Sequence, residues 1–241
     1  MVERRTFLVT GGGSGLGRDT ALALSATGAR TMVMDFDIAR AAQTVAAIRE
    51  AGGRAEVAEV DPVSAFAHEQ AVAQTVRVWG QLDGAFNAAE PGGPLYARSN
   101  ADRPTQSEIS LEPPAAPGID LKIGGLWFAM RAQTGQMRKQ LSGGCIVNAA
   151  PPGLSADGAA KPGAMAVKHT VLALTQSVAV EYSGSGIRVN AVYCDPQVSG
   201  AANKAKAREP RRAARTGPGL ISWLLSDRAT FMTGAALHLP G

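Results

Sequence analysis

The sequence has few cysteines, few aromatic residues and no long apolar run, and each shortage excludes a class of protein. Its 241 residues include two cysteines, too few for the disulfide framework of a small secreted protein. No apolar run reaches the roughly 20 residues that a membrane-spanning helix needs. The first residues lead directly into a predicted strand and do not have the three-part pattern of a secretory signal. We therefore expect a soluble, cytoplasmic protein without a membrane segment.

Aromatic side chains are also missing from the most basic stretch of the chain. Between Lys204 and Arg215 the only acidic residue is Glu209. Because no aromatic ring is interleaved there, we do not expect the stretch to stack on nucleic acid bases. A solvated loop, a site for an anionic or carrier-bound substrate, and a contact for an acidic protein are all consistent with it. The three histidines lack the spacing of a metal site, so no metal is expected.

Short β-branched or apolar runs alternate with longer segments of helical period, which is the pattern of βαβ units and a parallel sheet. Predicted strands are Thr6–Thr10, Thr31–Asp35, Ala55–Val60, Asp83–Asn87, Cys145–Ala149, Arg188–Val192 and Ala235–Leu239. Predicted helices include Ile38–Ala51, Ala67–Trp79 and Ala164–Tyr182. The last of these carries an apolar stripe that predicts a buried face. With no repeat and no linker, residues 1–241 are expected to form a single α/β domain.

Prolines set the expected beginning of one helix. Pro113, Pro114 and Pro117 disfavour helix in their own segment, so the helix that follows is expected to begin near Ile119. A C-terminal helix is expected after Pro218.

The stretch TGGGSGLG, Thr10–Gly17, follows the first predicted strand and opens the first helix. Glycines at this spacing allow a tight turn, let the backbone approach a pyrophosphate, and point the amides of a helix N-terminus at its charge. The next strand ends at Asp35, where a carboxylate accepts hydrogen bonds from ribose hydroxyls and repels a 2′-phosphate. The pair predicts a site for NAD(H) rather than NADP(H).

Together with FNAAEPGGP, GGCIVNAA, GSGIRVNAV and the helix that carries Lys168, these motifs resemble the short-chain dehydrogenase/reductase family from residue 5 to the C-terminus. The resemblance implies a Rossmann-type, doubly wound fold with seven parallel strands flanked by helices. It also implies a small-molecule substrate and a homo-oligomer, a dimer or tetramer, with a hetero-oligomer as an alternative.

The resemblance assigns most of the NAD site. The residues it places around the cofactor are Gly11, Ser14, Gly15, Leu16 and Gly17 in the phosphate loop, Asp35 at the ribose, Asp61 at the adenine, and Asn87, Lys168 and Ser199 nearer the nicotinamide. Pro62 departs from the family pattern, because it has no N–H to offer the adenine ring.

The resemblance also implies that the reaction half of the site is rewritten. The family's proton-donating tyrosine corresponds to Ala164, its carbonyl-polarising serine to Pro151, and the asparagine of the preceding helix to Lys122. The Pro-Gly after the sixth strand is replaced by Cys194-Asp195. The C-terminal helix is about four residues shorter than the family's, which is roughly one turn.

Three functions are consistent with these changes. Lys122 and Lys168 could form a new catalytic pair for cyclisation, elimination or isomerisation of a small carbonyl compound, acting as base, nucleophile or enolate stabiliser. Alternatively, the chain is a catalytically inactive NAD(H)-binding protein or partner subunit. A third reading keeps NAD-dependent oxidoreduction and moves the acid to Tyr96 or Tyr193.

Overall fold

The computed structural model describes residues 4–59, 64–88, 117–140, 142–151, 162–194 and 212–239. These residues form seven strands and six α-helices. The strands are β1 Thr6–Thr10, β2 Arg30–Asp35, β3 Arg54–Glu59, β4 Gly84–Ala88, β5 Gly144–Ala150, β6 Ile187–Cys194 and β7 Ala236–Leu239. The helices are α1 Gly15–Ala26, α2 Ile38–Glu50, α3 Ala65–Trp79, α4 Pro117–Gln140, α5 Pro162–Tyr182 and α6 Arg212–Leu224.

All seven strands pair in parallel, in the order β3-β2-β1-β4-β5-β6-β7. The chain builds one half of the sheet outward from β1 and then returns to place β4 on the other side of β1. This reversal is the topological switch point of a doubly wound sheet, and ligands bind at the carboxyl ends of the strands beside it. The glycine-rich loop after β1 lies at that point. The predicted seven-stranded, Rossmann-type α/β fold is confirmed.

Helices cover both faces of the sheet and create two cores. Apolar residues of α1, α2 and α6 pack on one face around Phe7, Val33 and Phe86, all of which are fully buried. Those of α3, α4 and α5 pack on the other face around Leu8 and Ile146. Because both faces are buried, the strands are apolar along most of their length rather than alternating.

Two of the predicted helix beginnings are wrong. The helix expected near Ile119 begins at Pro117, because proline lacks only a hydrogen bond that the first turn of a helix does not make. The helix expected after Pro218 begins at Arg212 and contains Pro218 within it. A proline inside a helix removes one backbone hydrogen bond but does not have to end the helix when packing supports it. Gly217 and Pro218 are both buried there, and Gly217 lies beside Leu16 of α1.

The predicted stripe on α5 is buried as expected. Val167, Val171 and Val178 are each no more than 3% exposed, and Leu174 and Tyr182 pack against the same core. This packing fixes the rotation of α5, and with it the direction of the residues between the buried positions. Among the helices that the structure describes, none has the length and apolar character needed to cross a bilayer.

Candidate dinucleotide site at the carboxyl edge of the sheet

The loop after β1 is held in a tight turn that only glycine fits. Gly11 has φ +65°, and a Cβ there would lie 2.5 Å from the carbonyl oxygen of Ala88. A Cβ on Gly17 would overlap the carbonyl oxygen of Gly11. The beginning of α1 therefore packs directly on the loop, and the loop packs directly on the end of β4. Because the loop is built of glycines, no side chains of its own cover its backbone, and Gly15 at its end is exposed.

Ser14 is the N-cap residue of α1, and its hydroxyl does not cap the helix. The N–H groups of a first turn have no partner within the helix. They carry the positive end of the helix dipole, which favours an anion such as a pyrophosphate. Gly15 is exposed in this turn, whereas Leu16 is half-buried and packs on the core. The turn can therefore bind a phosphate group through its backbone, and Leu16 anchors it.

Asp35, at the carboxyl end of β2, is oriented by two backbone amides. Gly13 donates to its Oδ2 at 2.9 Å and Asp37 donates to its Oδ1 at 2.9 Å. A Cβ on Gly13 would lie 2.9 Å from Oδ2, so glycine is required for this contact. An ionised carboxylate has about four lone-pair sites. One on each oxygen is used, so two acceptor sites are left, which is the number that two ribose hydroxyls need.

Lys168 lies in α5 at the same edge of the sheet, one helical turn after Ala164. Its ammonium group contacts a tyrosine from β6: Nζ lies 4.2 Å from the centroid of the Tyr193 ring. This is a cation–π distance. Tyr193 was predicted to lie just beyond the sixth strand, but β6 continues to Cys194, and Tyr193 pairs with Ala150 and His238 on either side. Its ring also packs on the His238 ring, with the centroids 5.3 Å apart.

The sequence also matches a known protein family. The family model for short chain dehydrogenases matches residues 5–210. The chain belongs to this family.

Two curated relatives match nearly the whole chain. The chain is 33% identical to 2,5-dichloro-2,5-cyclohexadiene-1,4-diol dehydrogenase of Sphingobium indicum, over 98% of its own length and 96% of the relative's. It is 32% identical to levodione reductase of Leifsonia aquatica, over 98% and 93% of the two lengths. Among solved structures, a short chain dehydrogenase from Mycobacterium smegmatis matches with a TM-score of 0.77 and 26% identity, over 100% and 93% of the two chains.

In this member of the family, Asn87 belongs to a buried polar network. Its amide nitrogen donates to Gln133 at 3.0 Å and to Asn148 at 2.9 Å. Its amide oxygen accepts from Gln133 at 2.8 Å and from Thr10 at 3.3 Å. Both donors of the amide group and its oxygen are therefore used within the protein. Its side chain ties the end of β1 to α4 and β5, and the role predicted for Asn87 at the cofactor stays a prediction.

Sequence reasoning missed the rest of this network. Asn148 donates to the Thr175 hydroxyl at 3.0 Å, which extends the network to α5. Gln133 and Thr175 occupy helix positions that face the sheet, and each is 1% exposed. A polar residue at an apolar position of a helical stripe was the signal that could have found them.

Several predicted site residues lie outside the described ranges. They are Asp61 at the adenine, Ser199 near the nicotinamide, and Tyr96 as a relocated acid. For Lys122 the structure describes only the backbone, in the second turn of α4. Its proposed pairing with Lys168 therefore stays a prediction. Among the residues that are described, Gly11, Asp35 and Lys168 lie at one edge of the sheet, and their roles at a cofactor stay a prediction.

Proposed function

We propose that the protein is an NAD(H)-dependent oxidoreductase that interconverts a secondary alcohol and a ketone on a small carbocyclic substrate. The observation that carries the proposal is the orientation of Asp35 beside the glycine loop, with two acceptor sites left for ribose. The family supports oxidoreduction. A ring substrate is supported by the name of one relative, which acts on a cyclohexadiene diol.

Asp35 supports NAD(H) over NADP(H) for an electrostatic reason. A 2′-phosphate would bring a second negative charge to the carboxylate, and at about 4 Å two unit charges interact by roughly 4 kcal/mol at an effective dielectric constant of 20. Arg40 lies close to this position, with its Cβ beside Gly13, but its guanidinium group is paired with Asp37 at 3.3 Å. Neutral ribose hydroxyls fit this carboxylate better than a phosphate does.

Lys168 would hold the ribose next to the nicotinamide, and this contact does not need the tyrosine that the family places one turn earlier. Bound NAD(H) would supply or accept the hydride. The chain's own residues would bind the phosphates at α1, orient the adenosine ribose at Asp35, and place the Lys168 ammonium beside the reacting carbon. A homo-oligomer is part of the same proposal.

Ala164 favours a second candidate, an NAD(H)-binding protein without turnover. It is half-buried in the position that matches the family's tyrosine, and neither Ala164 nor Pro151 has a proton to give. Non-redox chemistry through Lys122 and Lys168 is the third candidate. It rests on the same two replacements and on the change of the family's asparagine to Lys122.

Calorimetric titration with NADH and NADPH tests the cofactor proposal. We expect NADH to bind more tightly than NADPH. Asp35→Asn should weaken the binding of NADH by about 1.5–3 kcal/mol, the value of a hydrogen bond to a charged group. Asp37→Asn is the matched control. It lies two residues away, its carboxylate caps α2 by accepting from Ala39 and Arg40, and asparagine caps a helix equally well. Equal losses in both variants would contradict the assignment of Asp35.

Absorbance of NADH, followed over a panel of cyclic ketones, separates the three candidates. Oxidation of NADH coupled to ketone loss supports the oxidoreductase. Binding of NADH with no reaction of any ketone supports an NAD(H)-binding protein without turnover. Conversion of a carbonyl compound with no net change in NADH, lowered by both Lys122→Ala and Lys168→Ala, supports the non-redox reaction.

A further inference from the structure

Reduction of a ketone needs a proton as well as a hydride. When a hydride reaches the carbonyl carbon, the oxygen becomes an alkoxide, and it requires an acid within hydrogen-bond reach. Ala164 and Pro151, in the positions that match the family's acid and polarising hydroxyl, carry no such proton. If the proposed oxidoreductase turns over, another residue at this edge of the sheet must supply it.

We propose that Tyr193 is this proton donor, an inference that rests on the proposed function. Tyr193 lies near the carboxyl end of β6, in register with Ala150 of β5, the residue directly before Pro151. The side chain of Tyr193 therefore starts beside Ala150, one residue before the position on β5 that matches the family's serine. Because the carboxyl ends of parallel strands share one edge, a side chain on β6 can serve the same substrate as one on α5.

The contact with Lys168 supports this assignment. Of the tyrosines that the structure describes, Tyr193 is the one whose ring lies under the Lys168 ammonium, at 4.2 Å. Donation of the proton leaves a phenolate whose charge is partly delocalised over the ring, and the Lys168 ammonium lies over the face of that ring. Tyr182 is on the same helix as Lys168 but fourteen residues later, about 21 Å along the axis at 1.5 Å per residue.

The packing around Tyr193 holds its ring in one position. The ring is half-buried and packs against the core on the α5 face of the sheet. It also contacts the ring of His238 and the ammonium group of Lys168. Within the described ranges, no group accepts or donates a hydrogen bond at its hydroxyl. The body of the side chain is held in place, and its polar end has bonding capacity left for a substrate oxygen.

The proposed step balances with NADH as the reductant. The hydride and its electron pair form a new C–H bond at the carbonyl carbon, and the π electrons of the C=O bond move to oxygen. The O–H bond of Tyr193 breaks, and its proton forms the O–H bond of the alcohol. The remaining phenolate takes a proton from water, and NADH leaves as NAD⁺.

Tyr193→Phe tests the donor, because it removes the hydroxyl and keeps the ring under Lys168. We expect ketone reduction to fall by about 10²–10⁴-fold in kcat, the usual contribution of a general acid, with the affinity for NADH unchanged. Tyr182→Phe is the matched control and should leave kcat unchanged. A Tyr193→Phe enzyme that keeps its rate overturns the proposal while leaving the oxidoreductase function standing.

A second measurement needs neither cofactor nor turnover. Reductive methylation with ¹³C-formaldehyde labels the lysines, and the Lys168 signal is assigned by its loss in Lys168→Arg. In the unliganded protein this signal should be shifted upfield by the ring in wild type and in Tyr193→Phe, and should return to the position of an exposed lysine in Tyr193→Leu. The same signal in all three proteins would show that the contact does not exist and would overturn the proposal. Wild-type protein that shows the shift but reduces no ketone overturns the proposed function, and the donor role falls with it.

Discussion

A single methyl group on Gly17 should disrupt the beginning of α1. A Cβ there would overlap the carbonyl oxygen of Gly11. That oxygen cannot simply retreat, because Gly11 has φ +65° and lies against the carbonyl of Ala88. The strain therefore falls on backbone at the switch point of the sheet rather than on a flexible side chain.

The size of the effect can be separated from helix propensity by a matched variant. Overpacking of this kind costs about 1–3 kcal/mol. Replacing a helical glycine by alanine gains roughly 0.8–1.0 kcal/mol where nothing obstructs it. Gly135 in α4 is such a position, since a Cβ there meets nothing within 4 Å. The free energy of unfolding should therefore rise in Gly135→Ala, and the difference between the two variants should equal the cost of the clash.

Urea unfolding of wild type and both variants measures this difference, and calorimetry with NADH measures its consequence for the loop. We expect Gly17→Ala to be about 1–3 kcal/mol less stable than Gly135→Ala. Its affinity for NADH should fall at least about tenfold, which corresponds to 1.4 kcal/mol, while Gly135→Ala binds normally. If both variants gain the same stability, the close packing of α1 on the loop is refuted.

Two further predictions concern parts of the fold behind the site. Gln133→Leu removes two of the hydrogen bonds of the buried Asn87 amide and should cost about 1–3 kcal/mol in urea unfolding. Gln136→Leu, at a half-buried position of the same helix, should cost less, and equal losses would mean that the network adds nothing. Burial raises the pKa of the Cys145 thiol above 9.0, so the unfolded chain loses this proton first and stability should fall above about pH 9. Unfolding from pH 7 to 10 should show a shallower decline for Cys145→Ala, and identical slopes would contradict the shift.

The sequence allowed the sheet and its glycine-rich loop to be predicted because both depend on local rules. Each predicted strand matches an observed one within a few residues at either end, since a strand buried on both faces is a short apolar run. The positions of Gly11 and Asp35 follow from their places at the ends of β1 and β2. Once the order of strands in a doubly wound sheet is known, those ends must meet.

The reaction half could not be predicted to the same depth because it depends on contacts between distant segments. Tyr193 and Lys168 are 25 positions apart in sequence, and their contact is set by the register of β6 and the rotation of α5. The sequence offered Tyr193 and Tyr96 as equal alternatives for the acid. A prediction of β6 that ended at Val192 left Tyr193 in a loop, whereas the longer strand fixes its place beside Ala150.

The buried polar network could not be predicted from the sequence for a similar reason. Asn87, Gln133 and Asn148 belong to three separate elements, and periodicity indicates only that each faces inward. A buried polar group without a partner is costly, so each of them requires the others. That requirement becomes visible only when the elements are packed.

The proposed proton donor requires no change of fold. In a parallel sheet, the last residues of neighbouring strands lie at the same edge, and the helices that follow or precede them begin there. A side chain near the end of β6 and one at the beginning of α5 therefore reach a common space from different directions. Lys168 connects the two, because it lies one helical turn after Ala164 on α5 and its ammonium contacts the ring of Tyr193 on β6. In this proposal the acid is placed on Tyr193 rather than at position 164, which concerns single side chains, while the glycine-rich loop, Asp35 and the sheet keep the arrangement of the family's fold.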